Sequence, residues 1–165
     1  MNRALEIHVV ISGRDVGKIV SGASKIPFSV CQGSNQQGGC SMLNTSHTIS
    51  FVATSNAKTA REFYEKTLGL TFISGDQFAL VFDVGGCMLR IQKVDTVDPH
   101  GYTALGWKVA DIRKEVSELG ERGVTFARYE GMDQDGQGIW NAPSGAKIAW
   151  FTDPDGNILS LTQFF

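Results

Sequence analysis

Several residue types are scarce in this chain. Its 165 residues include three cysteines (Cys31, Cys40, Cys87), four prolines and three histidines. A small, odd cysteine count gives no disulfide framework and fits a reducing compartment, so a cytoplasmic location is expected. Positive charge is not in excess: 15 Lys and Arg stand against 17 Asp and Glu, a net charge of −2. That balance speaks against a nucleic-acid partner, which would call for a clustered basic excess. No apolar run approaches the roughly 18 residues of a membrane span, so no membrane partner is expected. The stretch Met1–Ser12 is broken by Glu6 and His8 and makes a poor signal peptide. What is present is ordinary globular material: 42% hydrophobic and 19% charged residues, with a mean hydropathy of −0.08. The length suits one core.

Composition changes near residue 46. Residues 1–46 hold one aromatic, Phe28, and a run from Cys31 to Cys40 of Gly, Gln, Ser and Asn with no apolar period. Such a segment reads as loop or flexible chain; within it only Ala4–Ile11 looks like a strand. Residues 47–165 hold every other aromatic, with 11 basic and 15 acidic side chains. The expected organisation is an N-terminal leader or extension over 1–46 and a folded domain over 47–165, with a native start near Met42. Gly13-Arg-Asp-Val-Gly17-Lys18 looks superficially like a phosphate-binding loop. It is one residue short, however, and Ile19 stands where Ser or Thr would be needed. Cys31 and Cys40 lack the further Cys or His at finger spacing that would make a metal site.

The domain repeats itself. Asp83-Val-Gly-Gly-Cys-Met-Leu-Arg-Ile-Gln92 returns as Asp153-Pro-Asp-Gly-Asn-Ile-Leu-Ser-Leu-Thr162, and Leu68-Gly-Leu-Thr-Phe72 returns as Arg122-Gly-Val-Thr-Phe126. The two offsets differ, which places an insertion around Glu130–Gly145. Each half reads strand, helix, three strands. In the first, Thr48–Thr54 is a β-branched strand, Ser55 an N-cap, and Ala57, Ala60, Phe63, Tyr64 and Leu68 a helical stripe stopped at Gly69. Strands follow at Leu70–Ser74, Phe78–Asp83 and Cys87–Val94. In the second half a strand at Thr103–Val109 precedes a helix capped by Asp111, with Ile112, Val116 and Leu119 on one face. Strands follow at Thr125–Tyr129, Ala146–Thr152 and Ile158–Gln163. The fold class is α+β: two βαβββ modules, about 47–94 and 102–165, forming a curved mixed sheet with helices outside and a concave ligand cavity inside.

Three segments carry a family resemblance: Phe63-Tyr64-Glu-Lys-Thr-Leu-Gly-Leu70, Val109-Ala-Asp-Ile112, and Trp150-Phe-Thr-Asp-Pro-Asp-Gly-Asn-Ile-Leu-Ser-Leu161. Their order and spacing over residues 47–165 resemble the vicinal oxygen chelate superfamily of glyoxalases, bleomycin-resistance proteins and extradiol dioxygenases. The resemblance implies a homodimer and, in the metal enzymes, one His or Glu ligand on the first and one on the last strand of each module. Carried onto this sequence, those positions fall at Ile49, Arg90, Ala104 and Ser160. Alkyl chains and a guanidinium have no lone pair to give a cation. The sequence is thus similar to a divergent member without the usual metal ligands, and no metal or other cofactor is expected.

Alternation assigns the faces of the strands. Leu89 and Ile91 should pack under the helices, leaving Arg90 and Gln92 inward; Leu159 and Leu161 likewise leave Ser160 and Thr162 inward. Tyr102, Ala104 and Gly106 face the same way, and the small pair leaves room for a ligand. The candidate ligand-binding residues are Arg90, Gln92, Tyr102, Ser160, Thr162, His47 and Trp150. Arg90 either grips an anionic ligand or pairs with a protein carboxylate or solvent. Trp140 and Trp150 are either a cavity wall or part of the core or an interface. Asp153 and Asp155 belong to a turn whose Asx-type hydrogen bonds explain them, and Cys87 has no neighbouring base. No catalytic residue can be identified, and whether the chain is an enzyme stays open. The function expected is metal-independent binding of a small anionic or aromatic molecule, for resistance or sequestration. Two rivals are a metal-dependent lyase, isomerase or dioxygenase using a displaced site, and an accessory domain that binds protein through a sheet edge.

Overall fold

A computed structural model of the chain describes Leu43 and residues 46–165. The strand expected at Ala4–Ile11, the glycine-rich loop, the Cys31–Cys40 run, His8 and the proposed start at Met42 fall outside the described residues. His47–Phe165 lies within one compact unit.

Two four-stranded mixed sheets and two helices make an α+β fold. The first sheet has the order β1-β4-β3-β2, from Ile49–Thr54, Cys87–Lys93, Ala79–Val84 and Thr71–Gly75. The second has the order β5-β8-β7-β6, from Thr103–Lys108, Ile158–Gln163, Lys147–Thr152 and Trp140–Asn141. The identical orders are the structural form of the sequence repeat. In each sheet the first strand runs parallel to the last and the others antiparallel. A parallel neighbour cannot be reached by a tight turn, so a helix fills each crossover: α1, Ala57–Glu62, and α2, Ile112–Glu121.

Each element follows from its residues. β-Branched and aromatic runs make the strands. Asn56, one residue past the expected Ser55, caps α1, its Oδ1 accepting from Thr59 N at 3.2 Å. Ser55 is engaged elsewhere, as described below. The helix continues as a π-helical turn over Phe63–Thr67, and Gly69 follows at φ 73°. Asp111 caps α2, accepting from Arg113 N and Lys114 N. The α2 face of Ile112, Val116 and Leu119 is buried, as the 3.6-residue period requires. One cluster of buried side chains runs through both modules, centred on Tyr64, Phe82, Leu89, Ile91, Ile112, Phe151 and Leu159. Among the described residues no helix is long and apolar enough to cross a membrane.

One expected strand is absent. Thr125–Tyr129 makes a single bridge, Phe126 to Phe151, and the fourth place in the second sheet goes to Trp140–Asn141, inside the region read as an insertion. Side chains explain this. Gln134 Nε2 donates to Ala127 O and Gly138 O, and its Oε1 accepts from Tyr129 N. Arg128 donates to the carbonyls of Asp135 and Gly136. Ala127 N still donates to Trp150 O of β7, but Ala127 O and Tyr129 N are taken by Gln134 within the loop, so the ladder goes no further.

Candidate ligand-binding site

The site is shaped by the closing turn of the second module. Asp153 Oδ1 accepts from Asp155 N at 3.0 Å and Asn157 N at 2.9 Å, which closes the turn around Gly156, at φ 88°. Its Oδ2 accepts from Asn157 Nδ2 and, at 2.9 Å, from the Tyr64 hydroxyl of the first module. Asp155 reaches the end of β1, accepting from Thr54 Oγ1 at 2.6 Å, Ser55 Oγ at 2.6 Å and Ser55 N at 2.8 Å. Asn157 Nδ2 also donates to Ala53 O at 2.9 Å. Burial, then the adjoining Asp153 carboxylate, pushes the Tyr64 phenol far above its ordinary range, so it stays a neutral donor. For Asp155, burial alone would raise the carboxyl; the hydroxyls of Ser55 and Thr54 and the Ser55 N–H outweigh it and hold it below the usual carboxylate range. Both aspartates are fully engaged in joining the modules, in keeping with the structural role expected of that turn.

Beside this clasp lies a cavity of about 400 Å³. β1 contributes Phe51 and Ala53, β4 contributes Gln92, and Ala104 comes from β5. Ala104 is the extra residue of a bulge between Thr103 and Leu105, and bulges re-aim the chain in this way beside sites. Asn157 and Ile158 form the clasp side. The connection between modules closes the rim with Thr96, Asp98, His100 and Tyr102. Pro99 holds that connection down: a Cβ added to Gly156 would meet Pro99 Cγ at 3.0 Å. The imidazole of His100 and the ring of Tyr102 stack, centroids 5.1 Å apart and planes 10° apart. Phe51 and Tyr102 keep 51% and 52% of their surface exposed.

Of the expected ligand-binding residues, Gln92 and Tyr102 line the cavity. Arg90 lies on the same face of β4 two residues from Gln92, half-buried and opposite Phe51 and Val81, but outside the lining. Its charge helps hold Asp76 below the usual carboxylate range, after the N–H groups of Ala79 and Phe78. His47 is exposed at the entry to β1 and Thr162 half-buried on β8. Ser160 is buried, pressed against Gly106. Trp150 is 4% exposed, its ring against Tyr129 and Trp140 and its Nε1 donating to Thr103 Oγ1 at 3.2 Å. Of the two readings for Trp150, the packed one describes its surroundings. Sequence reasoning missed Phe51, Asp98 and His100. Phe51 was legible as the inward neighbour of Ala53 by alternation. The other two lie on a loop with no periodicity.

The superfamily's metal does not fit the donors present. Ile49 and Ala104 have no lone pair to offer, and Arg90 is a cation. Strand register makes Phe51 the partner of Arg90 and Gly106 the partner of Ser160, and neither adds a donor side chain. Among the described residues no three His, Cys, Asp or Glu side chains gather as a metal-holding group.

A family model described as the Glyoxalase/Bleomycin resistance protein/Dioxygenase superfamily matches residues 45–161. With that match and two βαβββ modules sharing one core, the chain belongs to this superfamily. Among solved structures, it is similar to a superfamily member from Sphaerobacter thermophilus. The TM-score is 0.60 and the identity 25%, over 74% of this chain and all of that one. A glyoxalase family protein from Enterococcus faecalis gives 0.53 and 22%, over 70% of this chain and 94% of that one. A lactoylglutathione lyase from Agrobacterium tumefaciens gives 0.54 and 15%, over 72% and 93%. No curated protein sequence matches the chain significantly.

Proposed function

We propose that this domain binds a small aromatic molecule in the cavity between its modules without a metal ion, as a sequestering or resistance protein of the cytoplasm. The observation that carries this reading is the cavity of about 400 Å³ with three aromatic rings, Phe51, His100 and Tyr102, on its walls. Its size is that of a ligand pocket, and rings partly open to water gain from being covered. Gln92, Thr96 and Asn157 supply hydrogen bonds that orient a guest. The missing donor set supports metal independence.

Metal analysis of the purified protein, paired with ligand binding before and after chelation, tests the reading. The expected result is less than stoichiometric metal and unchanged binding of aromatic probes after chelation. One tightly held Ni, Zn, Mn or Fe per chain, with binding lost on its removal, would overturn it in favour of a lyase, isomerase or dioxygenase with a displaced site. A homodimer belongs to the same proposal. Ile49, Phe51 and Met88 form an exposed apolar patch on one face of the first sheet, a face that a second copy would cover.

A further inference from the structure

We infer that the molecule taken by this cavity is a flat aromatic cation, its ring lying on the His100–Tyr102 stack and its charge facing Asp98; the inference rests on reading the cavity as a small-molecule site. Three observations support it. First, Asp98 carries the one formal negative charge in the lining, and no Lys or Arg joins it there. A negative guest would meet a like charge with no counter-ion, whereas a positive guest finds a partner. Second, among the described residues Asp98 makes no hydrogen bond or ion pair, so its carboxylate is not committed elsewhere. The neighbouring Pro99 packs close to Gly156 of the closing turn, which keeps this stretch of backbone beside the cavity. Third, the walls are π faces. His100 and Tyr102 stack face to face, so the pair offers an outer ring face to a guest, and Phe51 is half open nearby. Aromatic faces are electron-rich and attract cations, above all planar ones that can also stack.

The competing charge is Arg90, two residues along β4 from Gln92 and outside the lining. The Arg90 guanidinium already acts on Asp76. The neutral polar groups, Gln92, Thr96 and Asn157, do not choose between signs. Charge selection in this cavity therefore falls to Asp98.

The test uses three flat bicyclic probes of nearly equal size: N-methylquinolinium, 4-methylquinoline and quinoline-4-carboxylate. Calorimetric titration of the full chain at pH 8 should give the cation about fivefold tighter binding than the neutral ring, with the carboxylate weakest. Asp98→Asn should remove the cation's advantage, so that within this variant the cation and the neutral ring bind about equally. Tyr102→Ala should weaken all three. Thermal melts check that both variants fold. If the carboxylate binds best, or if the cation keeps its advantage in D98N, this inference is overturned and the cavity remains a small-molecule site. A carboxylate preference that disappears in Arg90→Met would assign the selection to Arg90 instead. If none of the probes binds the wild-type protein, or if Y102A binds them as well as wild type, the reading of the cavity falls together with the inference.

Discussion

At the scale of single residues, the tightest constraint is the approach of Gly106 to Ser160. A Cβ at Gly106 would lie 2.6 Å from Ser160 Oγ and 3.4 Å from Ser160 O. The second is an ordinary contact; the first lies on a short side chain buried in a paired strand, with little room to turn aside. Gly106→Ala should therefore cost about 1–3 kcal/mol, as overpacked sites do, measured as a lowered urea midpoint. A midpoint equal to wild type would mean that the Ser160 hydroxyl turns aside at no cost. The same contact limits how far alternation could be read from sequence. It put Gln92 and Tyr102 on the inward face, and both line the cavity. It also put Ser160 on the inward face, but face is not exposure: the absent side chain at position 106 lets Ser160 sink out of reach. Trp150 teaches the same lesson: Trp140, packed against it, comes from an insertion whose path no periodicity encodes, and Tyr129 from the expected strand that does not form.

At the scale of elements, most of the strands were legible because β-branched and aromatic runs are bounded by glycine and aspartate turns. β8 matches its expected span, Ile158–Gln163, and the remaining matched strands shift by a residue or so at their ends. Thr125–Tyr129 misled because its composition is that of a strand while its hydrogen bonds go to Gln134, a partner no local rule reveals. The closing turn, Asp153–Asn157, was legible as a turn but not as a joint, because its partners Thr54, Ser55 and Tyr64 lie about a hundred residues earlier. Its Asp155 carboxylate gives the molecule an acid limit. The Asp155 carboxyl titrates lower in the folded chain than in the unfolded one. Its contribution is thus complete above the unfolded value of about 3.9 and is lost as pH falls through the folded value. Thermal midpoints should hold steady from neutral pH to about 5 and fall below about 4. In Asp155→Asn the neutral-pH midpoint should be lower and the drop on acidification smaller. An equal drop in both proteins would place the acid sensitivity elsewhere.

At the scale of the whole molecule, the repeat was the most informative feature of the sequence, since two copies of one topology predict two sheets of one order. How the copies meet was not encoded in either. That depends on the Tyr64–Asp153 contact, while the face carrying Ile49, Phe51 and Met88 stays exposed. If a second chain covers that face, sedimentation equilibrium at micromolar protein should return twice the 17.9 kDa mass of the chain, and Phe51→Glu should shift it toward the single mass. A monomer at every concentration would leave the face to solvent.

The long reach of the clasp bears on how this protein is made. Thr54 and the aspartate that holds its hydroxyl are 101 positions apart, so at the usual pace of translation roughly 5–20 s separate their emergence. For that interval the opening module waits with an unanswered phenol and a frayed strand end. Released chains truncated before Asp153 should then be cut by protease far more readily than the full chain.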